Sequence, residues 1–276
     1  MKKFLFENFW TVWRRAVIAG VALLLAVTIF WGAERSLPGS LWYPIKTGII
    51  EKITGLLAFS DTAKLSYRID TLDARLSEAL ALVTGVGITP ENRVKLGALF
   101  MDQFSEAKNL IDGLQAKGDI AGAAHAASLL EVSLSGYETT FLEVRVRQTG
   151  AKDQIDSLGA KIADARPVIQ EMRSALESRL ASLGDEQNIK KAAEAEVGFA
   201  NEAILAAEEF AAGLNLRAEA ASQNSARIAV AKDLLSQGKD KLEAGESGLA
   251  FVLFSQSFRV AESEILTLRV RNALAI

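Results

Sequence analysis

The chain has 276 residues, of which 50% are apolar and 24% charged, with four prolines, one histidine, no cysteine and a net charge of −3. Without cysteine there are no disulfides, no thiolate zinc sites and no cysteine nucleophile. The mild acidity offers no clustered basic surface, so no nucleic-acid partner is expected.

Met1–Arg15 interleaves Phe4, Leu5, Phe6, Phe9, Trp10 and Trp13 with Lys2, Lys3, Glu7, Arg14 and Arg15. That mixture suits a short cytoplasmic or interfacial segment over 1–15. Ala16–Ala33 follows, without one charge. As a helix rising about 1.5 Å per residue it covers roughly 27 Å, close to the hydrocarbon thickness of a bilayer. Lys2, Lys3, Arg14 and Arg15 precede this stretch, whereas Glu34 and Arg35 cancel beyond it. The positive-inside rule therefore predicts a single-pass anchor over 16–33 with a cytoplasmic N-terminus. Trp10, Trp13 and Trp31 stand where interfacial aromatics belong. A cleaved signal peptide shares the basic start and apolar core, but the bulky Trp31 near the candidate cut favours an uncleaved anchor. Either way, the remainder is expected outside the cytoplasm, in the periplasm or on the cell surface. Met1–Ala33 has a net charge of +3, leaving −6 on that remainder.

Residues 34–59 read as a juxtamembrane turn and short helix. Pro38-Gly39 predicts a type II turn, and Pro44 suits the first position of a helix, where its missing N–H costs nothing. Leu37–Lys46 is expected to form a rigid latch between anchor and bundle. Pro38 and Pro44 lock φ, Gly39 permits the reversal, and Pro44 biases Tyr43 away from helical geometry. Trp42 and Tyr43 supply apolar bodies with polar tips, and Lys46 suits the headgroup level. The run Pro38-Gly39-Ser40-Leu41-Trp42-Tyr43-Pro44-Ile45-Lys46 resembles the P-G-x-x-L-Y-P-[LV]-K signature of an uncharacterised bacterial domain family. Ser60, Ala63 and Lys64, then Arg68, Leu72, Arg75, Leu76, Glu78 and Ala79, are similar to its continuation. Trp42 stands where Leu is usual, and Leu41 where Pro is frequent. The resemblance covers about Ser36–Val83 and implies one N-terminal transmembrane helix followed by an extracytoplasmic helical domain. It implies no activity.

From Ser60 onward, apolar spacings of three and four predict helices packed along seams. The first seam reads Leu65, Ile69, Leu72, Leu76, Leu80, Val83; Thr89-Pro90 then supplies an N-cap and first-turn proline. A second reads Leu96, Phe100, Gln103, Ala107, Leu110, Leu114, stopping and restarting at Gly118-Asp119. A third runs through Ala127, Leu130, Leu134, Tyr137, Phe141 and Val144. A fourth runs from Ile155 to Leu183, with a kink or restart expected where Pro167 interrupts it. Ile189–Leu235 is Ala-rich and reads as one very long helix or as two joined near Gly213. A last helix spans about Gly248–Ala273, with Phe251, Phe254, Phe258, Ala261, Ile265 and Leu268 on one face. Nothing alternates with period two, so β content near zero is expected. Leu114–Ala123 weakly echoes Leu242–Ala250, through a helical-hairpin repeat or through shared turn chemistry.

The predicted fold is therefore all-α: a single transmembrane helix, then an elongated antiparallel, coiled-coil-like bundle over 60–276, which could subdivide near 150 or 184. His125 is the only histidine and sits among alanines, as a partly packed or exposed residue rather than a ligand. Glu208-Glu209 and Asp70 with Asp73 read as solvated helix faces. No catalytic constellation, cofactor motif or metal-ligand set is found, so no enzyme, cofactor or metal is expected. Phe251, Phe254 and Phe258 are candidates for an exposed docking surface, against ordinary packing. The functional expectation is a membrane-anchored scaffold, adaptor or protein-interaction module, acting on a protein partner or as a homo-oligomer through helical surfaces. The alternative is an extracytoplasmic sensory, regulatory or chaperone-like domain working through a membrane partner.

Overall fold

The computed structural model describes residues 36–38, 40, 43, 46–47, 61–85, 87–147, 152–183 and 187–273. The chain divides into two compact units, Met1–Ala58 and Phe59–Ile276. The anchor predicted over 16–33 lies outside the described residues. Among the described residues, no helix is long and apolar enough to cross a membrane.

In the first unit, the amide of Ser40 donates to the Leu37 carbonyl at 3.0 Å and closes a turn about Pro38. Tyr43 is helical and 1% exposed, which corrects the expectation that Pro44 would push it into extended geometry. The pre-proline bias is modest, and burial of the ring together with a Thr47 hydroxyl bond to the Tyr43 carbonyl at 3.2 Å accompanies the helical form. Lys46 is half-buried. Gly39, Trp42 and Pro44 lie outside the described residues, and so does the type of the turn.

The second unit is all-α, with no strand among the described residues. Its helices are α1 (Asp61–Thr84), α2 (Pro90–Ala116), α3 (Ile120–Arg147), α4 (Lys152–Ser182), α5 (Gln187–Ala212), α6 (Ala218–Glu243) and α7 (Ser247–Ala273). Each seam named above becomes core: Leu72, Leu76, Phe100, Leu130, Leu134, Ile162 and Phe254 are all but inaccessible. Helix starts and stops follow local chemistry. Thr89 accepts from the Asn92 amide at 3.2 Å with Pro90 in the first turn. Gly118, at φ +84°, ends α2, and Asp119 then caps α3 by accepting from the Gly122 amide at 2.9 Å. The Asp119 amide reaches back to Leu114 and that of Glu246 to Lys241, each beside a positive-φ glycine. The echo between those two segments is thus accounted for by shared capping.

One expectation changes. α4 runs unbroken through Pro167, so the predicted restart at Arg166 does not occur. Pro167 sits on the exposed side, while Ile162, Ala165, Ile169, Leu176 and Leu180 stay buried along one continuous seam; packing outweighs the lost backbone hydrogen bond. Of the two readings of Ile189–Leu235, the structure has two helices joined near Gly213, with the break running from Gly213 through Arg217. Beyond Ala207 the small-residue stripe leaves the core, and α6 buries a different set, Asn224, Ile228, Ala231, Leu235 and Gly238.

α1 packs on α2 and α3, and α2 on α3 and α4. α7 packs chiefly on α5 and α6 and also reaches α3 and α4, so α3 and α7 join the two ends of the unit.

Candidate functional site

Phe251, Phe254 and Phe258 are 1%, 0% and 5% exposed, so they are core and form no docking surface. The ring of Phe254 lies where a side chain on Gly238 would be, 2.5 Å from that absent Cβ. Close approach of α6 and α7 therefore needs glycine there.

His125 on α3 is partly packed, with a side chain 20% exposed, and its partner was hidden in the Ala-rich segment. Its Nδ1 lies 2.9 and 3.1 Å from the two carboxylate oxygens of Glu196 on α5, itself 1% exposed. The imidazole is flanked by Phe199 at 4.5 Å and Phe258 at 5.2 Å between ring centres. Glu196 falls on the stripe Ile189, Ala193, Ala200, and a charge on an apolar seam was the available signal. A buried carboxylate needs a partner, and the only histidine supplies one.

A second polar cluster ties α3, α4 and α7. Glu177 accepts from both Arg173 and Arg259, Arg173 also donates to Glu131, and Arg259 reaches Ser128 at 3.2 Å and Ser255 at 3.3 Å. All four charged side chains are less than one-fifth exposed.

This cluster borders a groove of about 610 Å³ in which α7 forms the floor and α3 and α6 the walls. Val132, Val230, Leu234 and Val260 make it apolar, and Glu131, Arg227 and Arg259 rim it. Val230 is 52% exposed. Arg227 Nε stands 3.4 Å from the buried carboxylate of Glu264, which also accepts from Asn224 at 3.1 Å. None of these groove residues was singled out in the sequence, because the apolar ones sit beside the seams rather than on them.

A third site lies between α1, α3 and α7, a cavity of about 410 Å³ lined by Asp70, Asp73, Tyr137 and Arg269 among others. Asp73 is not on a solvated face: it accepts from the Ser133 hydroxyl, and its carbonyl accepts from Tyr137 at 3.2 Å. Burial pushes the carboxyls of Asp70, Asp73 and Glu262 above their usual range and the Tyr137 phenol upward; Arg269 opposes this for Asp73, Glu262 and Tyr137. A carboxyl whose folded pKa is raised holds its proton more tightly folded than unfolded. Its stabilising contribution is full below the ordinary values of 3.8 for Asp and 4.5 for Glu, and is lost as pH rises through the folded values. Asp73→Asn keeps an acceptor for Ser133 and removes one titration. The stability difference between wild type and Asp73→Asn should therefore shift in favour of the variant as pH rises above about 4, read from urea midpoints across a pH series.

Among the described residues, no three His, Cys, Asp or Glu side chains converge to hold a metal ion. Comparison with family models, curated proteins and solved structures finds no match to this chain.

Proposed function

We propose that this chain is a membrane-anchored, non-enzymatic interaction module, held by a single helix over 16–33 and presenting an elongated antiparallel bundle outside the cytoplasm. The observation that carries the interaction reading is the apolar groove of about 610 Å³ between α3, α6 and α7, where Val230 remains half in water. Apolar side chains left at the surface of a groove with a polar rim are characteristic of partner-binding faces. The anchored topology rests on the uncharged stretch and its flanking charges, and on the resemblance at Pro38–Lys46.

The same groove supports a sensory domain as second reading, because its volume falls in the range of small-ligand sites, roughly 300–1,000 Å³.

A photo-crosslinking residue at Val230, compared with one at Val94 on α2, tests the interaction reading in native membranes. Val94 is 73% exposed and lies outside the groove. A discrete protein adduct specific to position 230 is expected; identical adduct patterns at the two positions would defeat the reading. Topology has its own test, since the chain contains no cysteine. A membrane-impermeant maleimide added to spheroplasts should label Ser157→Cys and spare Asn8→Cys. The reverse pattern would overturn the orientation.

A further inference from the structure

We infer that the groove between α3, α6 and α7 receives an amphipathic helix of a partner protein that carries an acidic residue opposite Arg227. The inference rests on the groove being the interaction face and names what that face takes.

Three observations lead there. The first is the shape of the bed. α3 and α6 each pack on α7 and flank it, leaving a trough along the α7 axis. Among the described residues there is no sheet edge for an extended peptide to pair with, so helix-in-groove docking is the mode this surface supports. The second is length. Arg227, Val230 and Leu234 line the trough on one face of α6. Seven residues of helix rise roughly 10 Å, which matches anchors at i, i+3 or i+4 and i+7 of a docked helix.

The third is charge. Glu131 and Arg259 rim the groove but are 17% and 16% exposed and engaged inside the bundle, with Arg173 and Glu177 respectively. The Arg227 side chain is 56% exposed, and its recorded ion pair, to Glu264, is made through Nε at 3.4 Å. The groove thus meets its partner with apolar walls and one exposed cation, and the complementary ligand is apolar with an acidic residue at one end. A fatty acid shares that description. However, the groove is open to solvent rather than an enclosed cavity, and an acyl chain there would leave much of its surface in water. A helix covers the opening with its own polar face.

The test uses the full chain in phosphatidylcholine nanodiscs, with empty discs as blank. The probe is a lactam-bridged peptide of about three turns with Leu at i, i+3, i+4 and i+7. It is made in forms carrying Glu, Gln or Lys at the end that meets Arg227. Binding in the order Glu, Gln, Lys is expected, with a two- to fivefold step between Glu and Gln, the scale of an exposed ion pair. Arg227→Gln should erase that step. Val230→Asp, at a half-exposed position that folding tolerates, should weaken every form by about tenfold or more, as loss of a buried anchor does. Circular dichroism confirms that both variants remain helical.

Equal binding of the three peptides overturns the acidic-helix inference, and so does binding indifferent to Val230→Asp. So does saturable binding of laurate, sensitive to Val230→Asp, with none of the peptides; that result assigns the groove to a small amphiphile. Failure of the functional reading is separate: it is the absence of any position-specific crosslink at 230.

Discussion

Gly248→Ala is expected to destabilise the helical unit by about 3 kcal/mol, the upper end for overpacking a rigid site. Gly248 opens α7 against the end of α4. A Cβ there would lie 2.0 Å from the Leu180 carbonyl oxygen, 2.8 Å from its carbon and 3.2 Å from the Ala181 Cα. These are backbone atoms, so no rotamer change relieves the contact, and α7 must lift away from α4. By contrast, a Cβ on Gly136 would meet the Leu266 side chain and one on Gly97 the flexible Lys161 side chain. The internal control is Gly159→Ala in α4, where a Cβ meets nothing within 4 Å. There the helix preference of alanine should add about 0.5–1 kcal/mol of stability. Urea midpoints at constant m-value separate the two outcomes: the first falls and the second rises.

This contrast also shows how far the sequence could be read. The seams of α1 to α4 and of α7 were legible, because burying an apolar stripe leaves a period of three and four in the residues themselves; the buried set of α6, with Asn224 and Gly238 in it, carries no such stripe. Thr89-Pro90 and Gly118-Asp119 were legible because capping is local chemistry. The restart expected at Pro167 does not occur, since the penalty of proline in a helix is local while the packing of Ile162, Ala165 and Ile169 that outweighs it is tertiary. Phe251, Phe254 and Phe258 were open to two readings because periodicity identifies a face without saying what covers it; Gly238 of α6 lies over Phe254 and His125 of α3 against Phe258. The groove was invisible for the same reason: it exists only because α3 and α6 stand on either side of α7. The pairing of His125 with Glu196 joins positions 71 apart in sequence; the charge of Glu196 on an apolar stripe signals a buried partner without saying which residue it is.

The second large effect is expected at Glu177. Glu177→Gln should cost about 3–5 kcal/mol, the range for breaking a buried ion pair by removing one partner. Glu177 accepts from Arg173 on its own helix and from Arg259 on α7, so losing its charge affects two guanidinium groups at once. Arg173 keeps Glu131, whereas Arg259 keeps only neutral acceptors, the amide oxygen of the new Gln and the hydroxyls of Ser128 and Ser255. A cation 16% exposed and held by neutral acceptors retains most of its desolvation penalty. The cost therefore comes from a charge left behind rather than from the strength of the pair. Glu177→Leu combined with Arg259→Met removes both charges and should cost less than the two single substitutions summed, by a coupling of about 1–3 kcal/mol in a double-mutant cycle. Strict additivity of the two substitutions would refute the buried-charge account. Because Arg259 also rims the groove, the same cycle bears on recognition. Glu177→Gln should loosen α7 and weaken peptide binding, while the double substitution restores the floor of the trough and much of the affinity without restoring the ion pair.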